Sequence, residues 1–303
     1  MNSLITLILI LLPMFIGFFL PINQILLLYA EKMIQYLVLM ILWVIGIELG
    51  LVEGLHQKLD DIILYIGCLF VLTLGFGGFG VWVFEKKYPC PYPKKTVKIS
   101  NSTSFFSSFN QLICLALGIV VAKFFPSVFV LPKHSITVLL MALLFLVGIG
   151  LKNSKINLKD ALFNPYGAYL SLVFIISTLL GGVVFALIFK LPIFQGLALA
   201  SGFGWYSLSG TVMTDAYGAI WGSVALFNDL GREICALFFI PYVMRYSSSC
   251  AIGLGGVTAL DFTLPILTQS GGIALAPLII SFGVTTNIVS PLLMVGFSAL
   301  NGV

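Results

Sequence analysis

The strongest constraint on this chain is a succession of apolar runs, each long enough to cross about 30 Å of hydrocarbon. They cover Leu4–Tyr29, Met33–Val52, Ile62–Phe84, Phe105–Phe125, Ser135–Leu151, Tyr166–Phe189, Tyr217–Tyr246 and Gly272–Leu300. A soluble fold keeps roughly 25% charged residues to cover its surface. This chain of 303 residues has 9% charged and 60% hydrophobic residues, too few polar groups to dress a water-facing shell. In hydrocarbon every backbone amide and carbonyl must be satisfied within the protein, so runs of this length form helices. The expectation is an all-α polytopic membrane protein, one transmembrane domain over residues 1–303.

Two stretches interrupt the regular pattern. Ile193–Thr214 is rich in glycine and serine, and Ala251–Ser270 is broken by Gly253, Gly255, Gly256, Asp261 and Pro265. Loop lysines orient the rest, because cytoplasmic loops carry the excess. With the N-terminus outside, the inner loops hold Lys32, Lys86, Lys87, Lys94, Lys95, Lys98, Lys152, Lys155 and Lys159. The outer loops hold only Lys58, Lys123, Lys133 and Lys190. Arg245 also falls inside if Ile193–Thr214 is a re-entrant hairpin entered from outside and Ala251–Ser270 one entered from the cytoplasm. The layout is then eight spans plus two broken segments facing each other, with ten crossings as the alternative. Met1–Leu20 lacks a basic start and a small-residue cleavage site, so it reads as a span and not as a removable signal peptide.

An internal repeat points the same way. Met40-Ile-Leu-Trp-Val-Ile-Gly46-Ile aligns with Ala142-Leu-Leu-Phe-Leu-Val-Gly148-Ile, and Gly77-Gly78 with Gly181-Gly182. The units are residues 3–84 and 105–189, followed by the broken region 193–300. Three crossings per unit make the second copy inverted, an arrangement typical of secondary transporters with a midplane site. Other classes fit poorly. A net charge of +4 spread thinly along the chain offers no basic stripe for nucleic acid. No phosphate-binding G-x-x-x-x-G-K-[ST] loop is present. The two histidines, His56 and His134, fall in loops, and the five cysteines form no C-x-x-C pair. No metal or other cofactor is expected.

Charged residues at membrane depth cost roughly 2.5–3.5 kcal/mol each at a helix centre, so they mark ion or substrate paths. Six stand within the apolar segments: Glu48, Asp215, Asp229, Arg232, Glu233 and Asp261. Five are acids, which suits a cationic permeant, protons, or both. Asp229, Arg232 and Glu233 lie three and four residues apart and share a helical face. Arg232 stays charged and is expected to neutralise Asp229, leaving Glu233 to take a proton in one conformation and an amine in another. A structural ion network is the plainer alternative. Glu48, between Gly46 and Gly50, is the acid of the second span, with Glu53 a competitor nearer the water. Asp215 is expected either to act on the path or to cap the following helix. In the first hairpin Gly202 and Gly204 free backbone groups, Ser207 and Ser209 offer hydroxyls, and Trp205 can stack on a cation. In the second, Thr263 and Asp261 flank the Pro265 break.

Ser201-Gly-Phe-Gly-Trp-Tyr-Ser-Leu-Ser-Gly210, the Asn228 to Arg232-Glu233 stretch and Thr258-x-x-Asp261-Phe-Thr-Leu-Pro265 together resemble the LysO-type lysine exporter family of bacterial inner membranes. The resemblance implies export of L-lysine and toxic lysine analogues in exchange for protons, with Glu48 and Glu233 as transport carboxylates. The family's second hairpin more often reads Thr-Ser-Met-Asp where this chain has Thr258-Ala-Leu-Asp261. Trp205 and the hairpin backbone are expected to hold the amino and carboxylate ends of lysine. Rival readings are a carrier of another cationic amino acid or diamine, a sodium-coupled carrier, and a cation channel. An intramembrane serine protease built on Ser209 lacks a base at membrane depth, so no enzyme activity is expected.

Overall fold

The structure, a computed structural model, describes residues 24–51, 55–92, 104–124, 164–260 and 262–301, with isolated positions between 12 and 20 and between 138 and 149. Among the described residues every regular element is helical. Long helices α1 (Gln24–Gly50), α2 (Leu55–Lys87), α3 (Ser104–Phe124) and α4 (Pro165–Phe189) come first. Short helices α5 (Ile193–Ala200) and α6 (Tyr206–Tyr217) precede the long α7 (Ala219–Val243). Then α8 (Ser248–Gly255) runs into a 3₁₀ turn (Gly256–Leu260), and α9 (Leu264–Gly271) leads through a second one (Ile273–Leu275) to α10 (Ala276–Leu300). Among the described residues three helices are long and apolar enough to cross a membrane: Asp60–Lys87, Pro165–Phe189 and Ala276–Leu300.

One boundary differs from the sequence expectation. A loop at Lys32 separates the first two runs on hydropathy, yet Gln24–Gly50 is one continuous helix. Glu31 and Lys32 are good helix formers, so a charged pair does not by itself end a helix. Inter-helix contacts run through small residues, as expected where apolar packing gains nothing over lipid. A Cβ on Gly118 would come within 3.0 Å of Gly46, and one on Gly50 within 2.8 Å of Ala122, so α1 and α3 approach closely. Gly181 sits 2.7 Å, by the same measure, from the Leu72 carbonyl, and Gly77 the same distance from the Thr178 hydroxyl. Gly77 and Gly181 thus each let α2 and α4 approach closely, at neighbouring points of one interface.

Contacts at the helix ends sort the elements into two sides. Tyr166 donates to the Tyr88 carbonyl at 3.0 Å, and Glu85 accepts from the Ser249 amide at 3.1 Å. The end of α2, the start of α4 and the start of α8 therefore share the side that carries Lys86 and Arg245. Gly271, at the end of α9, lies against Met244. The second broken segment accordingly enters and leaves on that side. On the opposite side Tyr65 meets Phe189 at 4.8 Å and stacks on Trp221 at 5.2 Å, while Phe194 stacks on Phe297 at 6.4 Å. The start of α5, the start of α7 and the end of α10 lie there. The first broken segment descends from that side as α5 and returns to it as α6.

Candidate functional site

The two breaks meet tip to tip. The first is Ser201–Gly204, where Phe203 (φ 51°) and Gly204 (φ 98°) have left-handed backbone. That conformation costs a non-glycine residue roughly 1–2 kcal/mol, and it turns the Phe203 carbonyl onto the Val257 amide at 3.0 Å. Gly256 faces it at φ 55°, and a side chain there would collide with the Phe203 carbonyl. Only glycine meets both demands at that point.

The last long helix fixes this junction from behind. Ser290 Oγ donates to the Ser201 carbonyl at 2.8 Å, and Asn287 Nδ2 donates to the Val257 carbonyl at 2.9 Å. Carbonyls freed by unwinding thus find side-chain donors, as buried backbone requires. Asn287 and Ser290 were not among the residues singled out from sequence. They belong to a polar stretch, Thr285-Thr286-Asn287 followed by Ser290, in the middle of a mostly apolar helix.

Helix α7 carries its three charges past the junction, and all are buried: Asp229 is 1% exposed, Arg232 3% and Glu233 4%. Asp229 Oδ1 accepts from the Gly204 amide at 3.1 Å and from Asn228 Nδ2 at 3.0 Å. Thr73 of α2 donates in turn to Asn228 Oδ1 at 3.3 Å. Asp229 Oδ2 has no hydrogen-bond partner among the described residues. It lies where a Cβ on Gly202 would be. Arg232 turns the other way. Its Nη2 donates to the Gly253 carbonyl at 3.1 Å, its guanidinium lies 4.8 Å from the Phe174 ring centre, and its Nε makes no hydrogen bond. The two opposite charges act on each other electrostatically, while their hydrogen bonds are divided between the two breaks. The carboxylate serves the first break and the guanidinium the second, because each break offers an unpaired backbone group of the complementary sign.

The other expected residues are distributed as follows. Trp205 caps α6 without a side-chain hydrogen bond and packs between the two main apolar clusters. Ser209 is fully buried and donates toward the Tyr206 and Ala225 carbonyls at 3.3 and 3.5 Å. Ser207 is buried on the same helix. Thr263 is buried, accepting from Thr258 Oγ1 at 3.3 Å. Ser209 thus ties the first hairpin to α7, and the Thr258–Thr263 contact lies within the second. Asp215 is exposed within α6, and the next helix is capped by Gly218 at φ 87°, so the capping role does not hold. Geometry explains this: a residue still inside one helix cannot adopt the extended backbone an N-cap needs. Glu48 stands in the last turn of α1, one turn beyond Ile45, which packs against Gly210 of the first hairpin. The side chain of Glu48 lies outside the described residues, as do Glu53 and Asp261.

Comparison with known proteins follows the same outline. A family model for the lysine exporter LysO matches residues 112–298. A "putative lysine exporter" of Haemophilus influenzae is 48% identical over 188 residues, covering 62% of this chain and 96% of that protein. The "lysine exporter LysO" of Escherichia coli K12 is 34% identical over 299 residues, 97% of this chain and 99% of that protein. No solved structure matches.

Proposed function

Because this chain belongs to the lysine exporter LysO family, we propose that it carries L-lysine outward across a bacterial inner membrane in exchange for protons. The observation that supports this most directly is the meeting of two broken helices beside Asp229 and Arg232, with Glu233 buried on the same helix. Discontinuous helices at the midplane of a transporter present unsatisfied backbone groups to the permeant. Water-exposed charge would be pointless at that depth, and uncompensated charge would be costly.

The chemistry assigned to each residue follows from its surroundings. Asp229 and Arg232 each hold one hairpin tip, so helix α7 registers the position of both. Glu233, one turn beyond Asp229, is the exchanging carboxylate. It takes a proton in one conformation and an ammonium group in another, which links lysine exit to proton entry. Glu48 receives the proton or the amine toward the outer face, and Asp261 contributes at the second tip. Gly202, Gly204, Trp205, Ser207, Ser209 and Thr263 shape the hairpins between them. Residues 3–84 and 105–189 act as the inverted scaffold units, with the N-terminus outside.

Efflux of labelled L-lysine from proteoliposomes under an inward proton gradient tests the assignment. The Glu233→Gln protein is expected to lose proton-coupled efflux while retaining its fold. Full coupled efflux by that variant would remove Glu233 from the mechanism.

A further inference from the structure

Arg232 has more hydrogen-bonding capacity than the hairpin uses. A guanidinium carries five N–H donors, and Arg232 spends one on the Gly253 carbonyl while Nε has no partner. Arg232 also lines a cavity of about 260 Å³ between α2, α7 and α8. Leu74, Val243 and Leu254 make its walls apolar, with Gly253 at its Arg232 end and Cys250 along its side. Val243 closes α7 and Cys250 lies in the first turn of α8, so the cavity reaches from Arg232 toward the side bearing Lys86 and Arg245. The Gly253 end coincides with the C-terminus of α8, where the helix gives way to the 3₁₀ turn.

From this geometry we infer that the cavity receives the α-amino-acid head of the permeant, with Arg232 binding its α-carboxylate. The inference rests on the exporter reading above and deepens it. Three features fit one zwitterion. The guanidinium offers paired donors to a carboxylate. The carbonyl end of α8, the negative pole of that helix, suits the adjacent α-ammonium. The apolar walls accommodate a four-carbon stem. A diamine with the same stem and no carboxylate would leave Arg232 unanswered, so Arg232 is the group that separates an amino acid from a polyamine.

Two readouts on the full chain in membranes test this. With the other four cysteines replaced by alanine, L-lysine is expected to slow maleimide alkylation of Cys250, whereas L-lysinamide and 1,5-diaminopentane do not. In counterflow, Arg232→Gln is expected to weaken competition by L-lysine by roughly 30-fold or more, the usual consequence of deleting one partner of a buried charge pair. Competition by lysinamide should weaken less than competition by lysine, because only lysine loses the carboxylate contact in addition to the hairpin tie, and Arg232→Lys should recover part of the preference. Equal protection of Cys250 by lysine and lysinamide overturns the inference, as does an Arg232→Gln protein that still prefers lysine. The protection assay keeps Arg232 in place, so it decides the matter even if the glutamine variant does not fold. Wild-type vesicles that fail to exchange lysine would instead refute the exporter reading, and Cys250 protection would still judge the cavity separately.

Discussion

Replacing Gly202 with alanine should damage this protein through one identifiable atom. The backbone of Gly202 is not left-handed, so alanine is conformationally allowed there. The new methyl would nevertheless overlap Asp229 Oδ2 and come within 2.7 Å of Asp229 Cγ and 3.0 Å of Ser209 Cβ. Overpacking of this kind costs about 1–3 kcal/mol. Moving the carboxylate aside also strips the Gly204 amide of its acceptor, which adds about 1–3 kcal/mol for an unpaired buried donor. The expected loss is about 2–6 kcal/mol, or on the order of 5–15 °C in the unfolding temperature of detergent-solubilised protein. Asp229→Ala opens the space the methyl needs. The Gly202→Ala/Asp229→Ala double variant should therefore be at least about 1 kcal/mol more stable than the two single losses summed. Gly67→Ala on α2 is the matched control, since a Cβ there meets nothing within 4 Å; higher helix propensity should leave it unchanged or slightly more stable. A Gly202→Ala protein with wild-type stability and transport, or additive losses in the double variant, would refute the proposed contact.

Three further outcomes are expected. Ser290→Ala removes the donor to the Ser201 carbonyl and should lower stability by about 1 kcal/mol, with faster hydrogen exchange at the first break as the check. Asn287→Leu leaves the Val257 carbonyl unpaired and should cost about 1–3 kcal/mol; a melting temperature equal to wild type would contradict the tie. Glu85 accepts from Ser247 Oγ and from the Ser249 amide, holding the first turn of α8. Glu85→Ala should cost about 1 kcal/mol and raise amide exchange over residues 248–252 without abolishing folding.

Much of the site was legible in the sequence because it follows from composition and local chemistry. Glycine clusters and Pro265 mark where a helix cannot continue, whatever surrounds it. Charges such as Asp229, Arg232 and Glu233 are conspicuous in an apolar run, and their spacing places them on one face. Other assignments failed because they required knowledge of partners. Asp215 resembles a cap by type, but the chain extends its helix two residues further, to Tyr217. Asp229 and Arg232 interact by charge as their spacing suggests, but the backbone groups 21 to 25 residues away that take their hydrogen bonds could not be read from that spacing. The loop expected at Lys32 failed for a different reason, since hydropathy registers a charge but not whether the backbone turns.

What the sequence determined by itself was the solvent and the vocabulary: a bilayer protein of helices, two of them broken, with acids held at depth. The cost of taking a charge or an unpaired amide out of water is a property of that group and its medium, so it can be counted along the chain. The tertiary structure alone decided how those costs are met. It brought Phe203 against Gly256 and Val257, set Asn287 and Ser290 behind the junction, and opened a cavity beside the unused donors of Arg232. Such complementarity depends on ångström-scale approach between segments dozens of residues apart, which no local pattern specifies.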